Sequence, residues 1–144
     1  MIKLFSKQLL LGLVIALTNG CCLHTSFRLK NESGEAVYVY SAHTRKTNEV
    51  SKNAAENIPH TCGAVSIKTE SGKNWSYPDI DVLAPDTRWL KHGRRGFFTP
   101  SVTLNLLLER DGRLFLLPPD GGRENYHRAS QPVGFPLCPT TTVK

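Results

Sequence analysis

From Val102 to Leu117 two apolar runs flank an Asp-Gly pair. Val102-Thr103-Leu104-Asn105-Leu106-Leu107-Leu108-Glu109 leads into Arg110-Asp111-Gly112, and Arg113-Leu114-Phe115-Leu116-Leu117 follows. Asp-Gly between apolar runs marks a β-hairpin, because the glycine takes the positive φ that a tight turn demands. The same period of two recurs upstream, in Ser26–Lys30, Ala36–Ser41, Glu49–Ser51, Ala64–Thr69 and Asn74–Tyr77. Asn31-Glu32-Ser33-Gly34 predicts a hairpin between the first two of these runs, and Glu70-Ser71-Gly72-Lys73 another between the last two. No stretch holds a helical period; residues 43–57 have room for a helical turn, but Thr47, Asn48, Asn53 and Asn57 weigh against a long helix. Short strands separated by frequent turns predict an all-β fold, a single small antiparallel β-sandwich, with a small β-barrel as the alternative.

The start of the chain is of another kind. Lys3 and Lys7 precede the uncharged run Leu9–Leu17, and Thr18-Asn19-Gly20 leads into Cys21-Cys22. A basic head, a short apolar stretch and small residues before a break compose a secretory signal peptide. The apolar run is about half the ~20 residues that a helix needs to cross the hydrocarbon core. With Gly20 before Cys21, Asn19 before that and Leu17 close upstream, residues 1–21 resemble the signal of a bacterial lipoprotein. That resemblance implies cleavage before Cys21 and lipidation of Cys21, with several acyl chains and so a stable anchor. It also implies sorting to the outer membrane rather than the inner, since Cys22 is not the aspartate that marks inner-membrane retention. No family is recognised in residues 23–144. The expected organisation is a signal peptide over 1–20, a lipidated N-terminus and short tether over 21–25, a β domain over 26–139 and a flexible tail over 140–144.

Loss of residues 1–20 takes Lys3 and Lys7, so Lys+Arg falls from 18 to 16 against 12 Asp+Glu and the net charge from +6 to +4. So mild an excess, without a basic helix or recognition module, argues against nucleic acid as a partner. Export exposes cysteines to oxidising conditions. With Cys21 acylated, Cys62 and Cys138 are the natural disulfide pair, worth about 4–5 kcal/mol on a chain-entropy argument, and Cys22 is left without a role. The bridge would explain how the Pro/Gly-rich segment from Pro118 onward stays attached, with Val133–Cys138 docked on the body.

Chemistry-bearing residues are sparse. His60 and Cys62 share a face of an extended segment, yet no second close-spaced pair completes a metal site, and His24, His43, His92 and His127 stand singly. Asp79, Asp81 and Asp86 lack the glycine-centred spacing of a calcium loop, and Ile80 and Val82 alternate with them as in an edge strand. No nucleophile elbow occurs. The stretch from Arg88 to Phe98 is the distinctive one: Arg88, Lys91, Arg94 and Arg95 lie among Trp89, Phe97 and Phe98, with Gly93 and Gly96 between. A loop of this composition can stack on sugars while its arginines grip phosphate or carboxylate. The bland alternative keeps Trp89 and Phe97-Phe98 as core anchors and leaves the charges in water.

The expectation is therefore a membrane-anchored envelope lipoprotein acting as a non-catalytic binding or structural accessory, with no cofactor and no metal. Its partners would be the membrane through the lipid anchor, and an envelope protein or anionic envelope polymer through residues 88–98. A soluble secreted or periplasmic binding module without lipid is the alternative, and an enzyme of unrecognised type a more remote one.

Overall fold

The computed structural model describes residues 24–42, 44–59, 63–78, 80, 89–95, 99–119 and 131–141, and at 24, 25, 90–95, 99, 100 and 141 the course of the backbone alone. These residues form ten strands: β1 (His24–Asn31), β2 (Val37–Ser41), β3 (Lys46–Val50), β4 (Ala55–Pro59), β5 (Val65–Thr69), β6 (Asn74–Tyr77), β7 (Leu90–Arg95), β8 (Thr99–Leu108), β9 (Leu114–Leu117) and β10 (Thr140–Thr141). One sheet runs β4-β1-β8-β7, with β9 continuing beside β8 where β7 ends; the other runs β10-β6-β5-β2-β3. The two pack as an all-β sandwich, and no barrel closes.

Alternation along the strands builds the core. In β5, Val65, Ile67 and Thr69 point inward while Ser66 and Lys68 face out. Phe27 and Leu29 of β1, Leu104 and Leu106 of β8, and Val39 of β2 join Ile67 in one buried cluster. Each such side chain contributes roughly 1.5–3 kcal/mol when taken from water.

Two expected hairpins form, and their turns have the same hydrogen-bond geometry. The Thr69 N–H donates to the Lys73 carbonyl and the Gly72 N–H to the Thr69 carbonyl; the Glu109 N–H donates to the Arg113 carbonyl and the Gly112 N–H to the Glu109 carbonyl. Gly72 and Gly112 hold φ of +92° and +83°, the left-handed residue that closes a three-residue hairpin loop.

The expected hairpin between 26–30 and 36–41 does not form; β1 and β2 belong to opposite sheets. Asn31 is the reason. Its Oδ1 accepts from the Ser33 N–H at 3.0 Å and the Ser33 hydroxyl at 2.7 Å, and its Nδ2 is shared among the carbonyls of Glu35, Val50 and Ser51. The Glu32 N–H meanwhile donates to Leu108. The chain is thus carried on beside β8 and then folded over to the facing sheet. β1 pairs with β4 antiparallel and with β8 in parallel; among the described residues every other strand pair is antiparallel. Among the described residues 44–57 there is no helical turn; they contribute β3 and the start of β4, which cross between the sheets beside Asn31.

The C-terminal segment docks as expected, but by backbone pairing. Leu137 exchanges both of its main-chain hydrogen bonds with Leu114 of β9, and Thr140–Thr141, expected as a loose tail, pairs with β6 of the other sheet. Residues 131–141 therefore strap one sheet edge to the other. The disulfide is not seen: Cys138 is exposed with its thiol free, and Cys62 lies outside the described residues.

Candidate functional site

The basic stretch is a strand where a loop was expected. Residues 90–95 form β7, whose register sets Lys91 opposite Thr103, Arg94 opposite Pro100 and Arg95 opposite Thr99. β7 ends its sheet, and among the described residues no strand pairs with its outer side. Trp89, 8% exposed, is buried in the core cluster, as the bland alternative has it, and so is not available for stacking. Arg88, Phe97 and Phe98 lie outside the described residues. What remains is a basic strand at a sheet edge, a place where an extended segment can add by main-chain hydrogen bonds.

Other candidates fall largely outside the described residues: Cys21, Cys22, His43, His60, Cys62, Asp79, Asp81, Asp86 and His127. Ile80 is buried and lies in a turn. Among the described residues no group of three His, Cys, Asp or Glu is placed to hold a metal, and no helix is long and apolar enough to cross a membrane.

Polar contacts at the turns join the two sheets. The Tyr77 hydroxyl donates to the Gly112 carbonyl at 2.5 Å. Burial, and then the nearby charge of Asp111, push the Tyr77 phenol well above its ordinary range. A Cβ on Gly112 would come within 2.7 Å of the Trp75 ring and 2.9 Å of Pro139, so hairpin, strap and second sheet meet there without space to spare. Burial opposes ionisation of Asp111, but the Arg113 N–H and guanidinium outweigh it and hold the carboxyl below its usual range. Glu35 is lowered chiefly by the Ser71 N–H, a contact that ties the Asn31 turn to the β5–β6 turn.

The outer faces of the two sheets differ. On the β1–β8 sheet, Leu107 and Phe115 lie opposite each other and are buried, with the Arg113 guanidinium 5.4 Å from the Phe115 ring centre. The Asn105 amide donates to the carbonyls of Pro118 and Pro119 as the chain leaves β9. The outer face of the second sheet carries Thr47, Tyr40, Ser66, Ser76 and Thr140 in one row, and Glu49, Tyr38, Lys68 and Asn74 in the next. Tyr40 is 42% exposed, and the residues around it in both rows are polar. In the sequence, Tyr38 and Tyr40 read only as strand formers within Ala36–Ser41. The signal was there in Val37-Tyr38-Val39-Tyr40, whose alternation puts both tyrosines on the face opposite the buried valines.

Comparison with known proteins gives no match: no family model, no curated protein and no solved structure resembles the chain significantly.

Proposed function

We propose that the chain is a lipid-tethered protein of the bacterial envelope, held at Cys21, that serves as a non-catalytic binding or structural accessory. The observation that carries this reading is the join between leader and fold. Only Cys22 and Leu23 separate Cys21 from β1, which starts at His24 and lies between β4 and β8. A tether so short keeps the sandwich close to the bilayer, and any pull on it falls on a strand hydrogen-bonded on both sides. The outer membrane is the favoured address, since Cys22 follows the acceptor. Docking to an envelope protein or an anionic envelope polymer would use the basic edge strand β7, with Lys91, Arg94 and Arg95.

Fractionation of a bacterial host tests this. The wild-type chain should stay with membranes in high salt and leave them in detergent, whereas Cys21→Ser should move to the soluble periplasmic fraction. Wild-type protein found soluble would favour the secreted module without lipid.

A further inference from the structure

We infer that the outer face of the β2–β3–β5–β6–β10 sheet is a binding site for a neutral glycan chain, with Tyr38 and Tyr40 as its stacking platform. The inference rests on reading the chain as a non-catalytic binding domain and names the ligand class that such a domain would take. The two tyrosines stand two residues apart on one face of β2, roughly 7 Å along the strand. Such spacing lets both rings lie under one extended chain. β2 is an inner strand, flanked by β3 and β5, so the aromatic pair is set within the face and not at its rim.

What surrounds the pair selects the ligand. Tyr40 lies between Thr47 and Ser66, and Ser76 follows in the same row. Tyr38 lies between Glu49 and Lys68, whose opposite charges cancel across the ring. The face has hydroxyls and an ion pair's worth of donors and acceptors around apolar rings, with no excess of either sign to draw a polyanion or polycation. A sugar ring offers the complement: C–H groups on its flat side for the aromatic face, and hydroxyls around its rim for hydrogen bonds. On the outer side of the other sheet, Leu107 and Phe115 are buried.

The full chain, purified in mild detergent, is sedimented with insoluble chitin and with cellulose. Wild-type protein should be retained on at least one. Retention should drop at least tenfold in Tyr40→Ala and in Tyr38→Ala, persist in Tyr40→Phe, and be unaffected by Arg28→Ala on the opposite sheet. It should also survive about 0.5 M salt, where charge attraction is screened within a few ångströms. Unchanged circular dichroism and melting temperature in the variants would tie the loss to the face itself. Wild-type protein that ignores both glycans, retention indifferent to both alanine substitutions, or retention abolished by salt would each overturn the site. Membrane fractionation of the same preparation reports on the lipid tether independently, so failure of one reading is not mistaken for failure of the other.

Discussion

The side-chain amide of Gln131 pairs with Leu116 as a further strand would. The Leu116 N–H donates to Gln131 Oε1 at 2.9 Å, and Gln131 Nε2 donates to the Leu116 carbonyl at 3.0 Å. Two residues earlier in β9, Leu114 makes the same exchange with the backbone of Leu137. Every outward-facing main-chain group at Leu114 and Leu116 is thereby satisfied, which removes an edge that could pair with another molecule.

Gln131→Ala should therefore destabilise the domain by about 1–2 kcal/mol, the net worth of two hydrogen bonds. Amide hydrogen exchange at Leu116 should quicken about tenfold. Exchange at Leu116 equal to wild type would mean that the amide pairing does not hold the strap.

Gly72 and Gly112 close turns of the same geometry in different surroundings. Gly72→Ala meets nothing within 4 Å, so only the left-handed backbone resists it, at about 1–2 kcal/mol. Gly112→Ala adds a clash with Trp75 and Pro139, raising the total by a further 1–3 kcal/mol or so. Equal melting temperatures for the two variants would contradict the packing seen at Gly112.

Much of this was legible in the chain. Asp111-Gly112 and Ser71-Gly72 announce their hairpins because a tight turn is a local event between neighbours in sequence. The β1–β2 crossing was not legible, since Asn31-Glu32-Ser33-Gly34 suits a hairpin equally well. Its outcome depends on Val50 and Ser51, about twenty residues away, whose carbonyls meet the Asn31 amide. The strap shows the same limit. Cys62 and Cys138 are conspicuous as letters, whereas the pairing of Leu137 with Leu114 is written in backbone groups that every residue carries. Arg88–Phe98 reads as a loop because its glycines and charges outweigh a weak alternation, and over 90–95 pairing with the long strand β8 overrides that local preference.

Tyr77 predicts an alkaline limit. Its folded pKa is raised above the unfolded value of about 10. Its contribution to stability is thus complete below pH ~10 and lost as pH climbs past it, when the unfolded chain releases a proton that the folded chain keeps. The slope is up to about 1.4 kcal/mol per pH unit. Tyr77→Phe should cost about 1–2 kcal/mol at neutral pH, leaving the Gly112 carbonyl unpaired, and should flatten the decline above pH ~10. Urea unfolding of both proteins across that range makes the comparison. Parallel curves would contradict the role given to the phenol.

The intact mass of the chain extracted in detergent from a bacterial host decides whether Cys21 carries the proposed lipid. A tethered protein should give a polypeptide that begins at Cys21 and carries the added mass of its acyl chains. An unmodified chain, cut near Gly20 or not at all, would contradict the proposed tether.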